Sequence, residues 1–402
     1  MAAEIIAFRK REKPATKAPA TAPSKRLEAL DVLRGICVMG MILVAYAGDW
    51  GHRFKVLNHA DWHGLALADM IFPGFLFCVG VAVPLSFAGR AASQTRGGLS
   101  LHILWRAAAL IVLGVVLNFI ATPDILHFRV PGILQRIGLA YGASALLCLF
   151  LGRKSDADFT LKIWPVVAAI AGVLVVYAAM LLLWRTPECP GYCFDSTWAL
   201  PAVVDRSVFT TAYMWPYGTT NGVVTFDPEG IVATLGAIAN VLIGVVASLY
   251  IRQNGIRSAV VGLIMLGVFL FVIGIGLDAQ IPVIKKIWTP SFALVSSGVS
   301  LVVFSLLAVV TDVFGQKSWA YPIKVFGSNP TLAFIGISLI DTLMQFPLFT
   351  AEPHSLHDTM VKVLGASIAD ARLASLTYSV GLLVVLGLLL WPAYHKRWFF
   401  KL

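Results

Sequence analysis

The segment Asn58-His59-Ala60-Asp61-Trp62-His63-Gly64-Leu65-Ala66-Leu67-Ala68-Asp69-Met70-Ile71-Phe72-Pro73 sets an imidazole ahead of a carboxylate, with an indole between them. A histidine near its ordinary pKa can accept a proton from an ammonium group at neutral pH. Its ring can also carry an acyl group. Trp62 offers a flat, largely apolar ring against which a sugar can stack. Alone, a loop histidine is a weak signal. His52 and His63 offer the same chemistry, and the three lack the spacing of a zinc-binding helix.

Two further polar clusters could bind the ammonium and hydroxyls of an amino sugar. One is Arg129-Val130-Pro131-Gly132-Ile133-Leu134-Gln135-Arg136, with Arg129, Gln135 and Arg136 as contacts; the other is Phe226-Asp227-Pro228-Glu229-Gly230, with Asp227 and Glu229. The ordinary role of Asp227 is to sit near a helix N-terminus, where the macrodipole favours an anion. A third group, Arg34, Arg90, Arg96 and Arg106 with Asp31, suits the phosphates of an anionic ligand through charge-assisted contacts. Topology alone also concentrates arginines on a cytosolic face.

These residues must be positioned by a membrane protein. Of 402 residues, 58% are apolar and 13% charged, and the mean hydropathy is +0.82, which does not suit a water-facing surface. Apolar runs of spanning length predict about ten helices, near 30–47, 64–88, 101–121, 131–152, 163–184, 230–251, 258–277, 290–313, 323–345 and 373–391. The fold class is therefore all-α, a polytopic transmembrane helical bundle. A formal charge of +10 does not indicate nucleic acid, because the basic residues gather at helix ends without an aromatic-interleaved stripe.

With the N-terminus in the cytosol, about 19 Lys and Arg fall inside against about 9 outside, so the positive-inside rule places both termini in the cytosol. Residues 1–26 read as a disordered basic cytosolic arm without a signal-peptide core. Residues 27–402 form the transmembrane domain, with a long outer loop at 185–229. Cys37, Cys78 and Cys148 lie in apolar runs as small buried hydrophobes. Cys189 and Cys193 sit in the outer loop, where an oxidising compartment permits a disulfide that spacing alone does not fix. Ionisable groups inside spans mark function. Asp69 and Arg136 enter spans two and four from the same side at similar depth, which allows an ion pair.

Taken together, four blocks resemble the heparan-α-glucosaminide N-acetyltransferase family, including bacterial relatives such as the NagX proteins. They are Leu30-Asp31-Val32-Leu33-Arg34-Gly35, the His59 to Pro73 block, Arg129 to Gly138, and Phe226 to Gly230. Ile281-Pro282-Val283 to Trp288 and Gly327-Ser328-Asn329-Pro330 add weaker support. The resemblance runs in order over residues 27–402, and its most specific part is the second block.

The resemblance implies an acetyl-CoA-dependent N-acetyltransferase of a bacterial inner membrane, multi-pass and in contact with lipid. Acetyl-CoA from the cytosol is its co-substrate, and a terminal glucosamine-type sugar on the periplasmic side accepts the acetyl group. It implies His59 as the catalytic histidine, either general base or acyl carrier, and an active-site role for Asp69, which matches the family's acidic position. Cofactor contacts then fall to Arg34, Arg90, Arg96 and Arg106, and acceptor contacts to Trp62, Arg129, Gln135, Arg136, Asp227 and Glu229. No metal is called for. One departure stands out: family members usually have Asn at the end of the first span, where this chain has Ala45, leaving Tyr46 or Asn58 as alternative donors. An amino-sugar transporter, or an O-acyltransferase of envelope glycans, remains open on the residues alone, as does a homodimer.

Overall fold

Lipid satisfies no backbone hydrogen bond, so apolar runs of this length fold as helices that satisfy their own. In a computed structural model the chain is described over residues 27–90, 93–155, 158–347 and 354–400. The predicted arm at 1–26 lies outside these described residues. In chain order the helices are α1 (Glu28–Ala45), α2 (Ile71–Arg90), α3 (Arg96–Ala121), α4 (Ile133–Leu151), α5 (Ile163–Leu183), α6 (Leu200–Phe209) and α7 (Thr234–Asn254). They continue as α8 (Ile256–Gly276), α9 (Pro290–Ala308), α10 (Tyr321–Ser328), α11 (Pro330–Gln345), α12 (Leu356–Ser367) and α13 (Ala371–His395).

Eight of these helices are long and apolar enough to cross a membrane, with a ninth crossing if α10 and α11 count as one bent span. The other two of the ten expected spans differ from the prediction. At 323–345 the chain breaks by 87° between α10 and α11, because Pro330 has no N–H to give and crowds the preceding turn. Buried Asn329 fills the break: its amide donates to the Trp398 carbonyl at 2.9 Å and accepts from the Phe400 N–H at 2.9 Å. The first helix, α1, carries Glu28, Asp31 and Arg34 and is largely buried among its neighbours. Its N-terminus is capped from the far end of the sequence, the Asp312 carboxylate accepting from the N–H groups of Glu28 and Ala29 at 3.0 and 2.9 Å.

α7 is the central column, with 83% of its apolar window buried, whereas α5 has 17% and lies at the perimeter. Small residues bring α7 against α2, as is usual where lipid supplies no hydrophobic drive between helices. Gly80 and Gly244 face each other there, and a Cβ on Gly80 would lie 1.8 Å from the Val241 carbonyl oxygen. The same device recurs between α8 and α9, where Gly267 meets the backbone of Gly298.

The loops carry their own structure. The predicted loop at 185–229 contains α6, a Cys189–Cys193 disulfide, and a hairpin pairing Thr219–Thr220 with Val223–Val224. Its turn residues Asn221 and Gly222 both have positive φ, 51° and 80°, the two-residue turn that matches strand twist. α12 lies in the loop that precedes α13.

Gly80→Ala should cost about 1 to 3 kcal/mol by forcing α2 off α7, read as a lower thermal midpoint in detergent. Gly172 in mid-α5, whose added Cβ meets open space, is the control: Gly172→Ala should not lower the midpoint, since Ala favours a helix over Gly. Equal midpoints for both variants would contradict the packing described.

Candidate active site

Asp69 lies in the short turn Leu67–Met70 that leads directly into α2, and its side chain is fully shielded from solvent. One carboxylate oxygen accepts from the backbone N–H of Ala66 at 2.9 Å and of Ala60 at 3.2 Å. The other is 2.8 Å from His59 Nδ1. The carboxylate thus holds both ends of the His59 loop and fixes the ring. A carboxylate on Nδ1 keeps the proton there and leaves Nε2 as the basic nitrogen.

A third residue completes the group. Lys285 Nζ lies 3.0 Å from His59 Nδ1, 3.3 Å from Nε2 and 3.5 Å from Asp69. It comes from the connection between α8 and α9, which is anchored on both sides. The Gly64 N–H donates to the Val283 carbonyl at 2.9 Å, and the fully buried Trp288 indole donates to Asn240 of α7 at 2.7 Å. Burial holds the His59 pKa below the ordinary 6.5; the Asp69 hydrogen bond works upward against it, and the Lys285 charge adds to the lowering. Burial lowers the Lys285 pKa too, with Asp69 opposing. His59 is therefore neutral at pH 7 and still 37% exposed at its side chain.

The allowed Asp69–Arg136 pair does not form. Asp69 is taken by His59 and Lys285, while Arg136 on α4 donates to the Gly230 carbonyl at 3.0 Å and lies over the Trp288 ring at 4.8 Å. Both are fully buried, so similar depth did not determine partner. Arg129 instead forms the ion pairs, donating through Nε and Nη2 to both oxygens of Asp227 and through Nη2 to Glu229. Burial opposes the Arg129 charge, but the two carboxylates outweigh it and raise its pKa.

Asp227 also accepts from the N–H groups of Trp215 and Glu229, at 2.8 and 2.9 Å. Its oxygens are engaged in holding the loop rather than presented to a ligand. Gln135 donates to the Val130 carbonyl at 2.8 Å. The Trp62 indole donates to the Phe194 carbonyl at 2.7 Å, and its ring meets Phe226 edge-on at 5.0 Å. Glu229, paired with Arg129, also lines a cavity of about 710 Å³ together with His59 and Lys285.

That cavity also reaches Arg34, Arg90, His102 and Arg106. Ile71 and Arg90, at opposite ends of α2, both line it, so it follows about 28 Å of helix axis at 1.5 Å per residue. Its middle is apolar, with Val38, Phe75 and Val79 among the walls. Three of the four expected arginines thus belong to one passage. Arg96 does not line it: its guanidinium donates to the Leu149 and Phe150 carbonyls at 2.5 and 3.0 Å, closing the C-terminus of α4, where a cation suits the dipole.

Sequence reasoning missed Lys285, His102 and Asp205. The Ile281 to Trp288 stretch held the signal for Lys285. Asp205 gave none: it is buried on α6 beneath Gly230, and burial raises its pKa to about 7. A Gly230 Cβ would collide with its carboxylate.

A double-mutant cycle separates the pairing observed from the pairing expected. Arg129→Gln and Asp227→Asn should show a coupling of about 1 to 3 kcal/mol, because each single change strands a buried charge. Asp69→Asn and Arg136→Gln should be additive within about 0.5 kcal/mol. Coupling in the second pair and additivity in the first would contradict the geometry.

A family model described as "Heparan-alpha-glucosaminide N-acetyltransferase, catalytic" matches residues 26–260, more than half of the chain. The chain is 25% identical over 399 residues to the heparan-alpha-glucosaminide N-acetyltransferase of Mus musculus, covering 88% of this chain and 60% of that protein. It is 26% identical over 367 residues to the one of Homo sapiens, covering 80% and 54% respectively. The chain spans little more than half the length of these curated relatives. The matched region contains His59, Asp69, the Arg129 cluster and Glu229. This chain belongs to the heparan-alpha-glucosaminide N-acetyltransferase family.

Proposed function

We propose that the protein transfers an acetyl group from acetyl-CoA to the amine of a terminal glucosamine-type sugar, with His59 as general base. The observation that carries this reading is the single cavity joining Arg34, Arg90 and Arg106 to His59. CoA has an anionic nucleotide end and a thin, mostly apolar arm ending at the thioester. A passage with arginines at one end, apolar walls, and an imidazole at the other fits that shape and charge order.

In this mechanism the positive balance of the loops places the arginine end in the cytosol and the His59 end in the periplasm. Both termini are cytosolic, and residues 27–402 act as one transmembrane domain. The neutral amine attacks the thioester carbonyl carbon, a C–N bond forms and the C–S bond breaks. His59 Nε2 takes the proton released by nitrogen and passes it to the departing thiolate, so the products are amide and thiol. Asp69 holds the ring in the required tautomer. Glu229 faces the acceptor nitrogen, which sheds its ammonium proton to water before it attacks, while Arg129 and Asp227 fix the loop that presents Glu229.

The reading of an amino-sugar transporter predicts no consumption of acetyl-CoA. Purified protein should release free CoA from acetyl-CoA only when glucosamine is present, and His59→Ala should lower that rate about 10²- to 10⁴-fold. His52→Ala, whose ring pairs with Asp49 on the surface, should retain parental activity. With kcat/KM corrected for the fraction of acceptor present as neutral amine, the acid limb of the parent should lie below the ordinary 6.5, because protonated His59 cannot accept the amine proton. His59→Ala activity within about threefold of the parent would remove the residue from the chemistry.

A further inference from the structure

His59 and Asp69 handle a proton, but amine attack on a thioester also places negative charge on the carbonyl oxygen, and that charge needs a donor aimed at it. The donors expected near the end of α1 do not supply one. Ala45 lines the cavity without a polar side-chain atom. Asn58 is not among the residues lining the cavity, and its amide is tied to Arg53, whose Nε and Nη2 donate to its oxygen at 2.8 and 2.6 Å. Tyr46 is not among the residues lining the cavity, and its side chain lies beside Ser338 on α11.

We infer that Lys285 is a further catalytic residue of the proposed reaction, its ammonium stabilising the oxyanion that forms when an amine attacks a thioester lodged against His59. This rests on the acetyltransferase reading. Among the described residues lining the cavity at the His59 end, the polar side chains are His59, Glu229 and Lys285. Glu229 is anionic and would repel the developing charge. His59 is committed to the proton. Lys285 remains, a donor with no acceptor capacity, within 3.0 and 3.3 Å of the two ring nitrogens.

A thioester lodged against His59 can therefore turn its carbonyl oxygen to the Lys285 ammonium. Its placement also serves the base. A cation beside the ring disfavours imidazolium, opposing Asp69, and so keeps Nε2 able to accept a proton at mildly acid pH. The position is preorganised by Gly64 and Trp288, which hold the Lys285 loop from either side. Such a charge acts in a site largely shielded from water, where it is worth more than at a surface.

The test uses full-length protein with acetyl-CoA and glucosamine. Lys285→Met should lower kcat about 10²- to 10³-fold while KM for acetyl-CoA changes little, because the contact is made in the transition state. The acid limb of its pH profile should move to higher pH, since one of the charges that lowers the His59 pKa is then gone. Lys285→Arg keeps the charge and should recover most of the rate with the limb near its parental place. Should Lys285→Met not fold, Lys285→Gln, of similar length and neutral, is read the same way. A neutral variant with kcat within about threefold of the parent, or Met and Arg variants equally slow with unshifted limbs, would overturn the role. A parent protein that transfers no acetyl group would overturn the underlying reading instead.

Discussion

The carboxylate of Asp69 has no contact with solvent, and an unpaired anion there would cost several kcal/mol. The His59 ring, Lys285 and two backbone N–H groups remove that penalty together. The partners come from two stretches: His59, Ala60 and Ala66 from the loop between α1 and α2, and Lys285 from the connection between α8 and α9. Satisfying one buried charge therefore brings two loops distant in sequence together at the cavity. The geometry of the base follows from the same requirement, because the carboxylate that needs partners also fixes the tautomer of the ring.

The second buried charge cluster works at the neighbouring wall. Arg129 neutralises Asp227 and Glu229, and Arg136 holds the Gly230 carbonyl above it. These contacts set the Asp227 to Gly230 turn against α4 and leave Glu229 at the cavity. The helices contribute the passage rather than the chemistry. α2 runs along the cavity while its other face is pressed onto α7 through Gly80 and Gly244, so the wall of the passage is backed by the most buried helix of the bundle.

Much of this arrangement was legible in the sequence. Hydropathy identified the crossing helices because lipid leaves the backbone no alternative, and the His59 to Pro73 block held the imidazole and its carboxylate together. Pairing across the chain was not legible. Asp69 and Arg136 share a depth, yet depth fixes only one coordinate; rotation about the helix axis turned Arg136 toward Gly230 and Trp288. Lys285 reads as an ordinary loop lysine until the fold places it on His59. Arg96 belongs to the arginine-rich face but faces the end of α4, since a cation suits a helix C-terminus as well as it suits phosphate. The break at Asn329-Pro330 was visible as a motif, while the 87° turn it makes was not.

The most direct measurement is a density map of the protein with a non-hydrolysable acetyl-CoA analogue. The phosphates should lie among Arg34, Arg90 and Arg106, the arm should follow the apolar walls past Phe75 and Val79, and the acyl carbon should stop about 3 to 3.5 Å from where an amine served by His59 Nε2 would sit. An analogue bound wholly at one face, or one whose acyl end points away from His59, would contradict a reaction run through this passage.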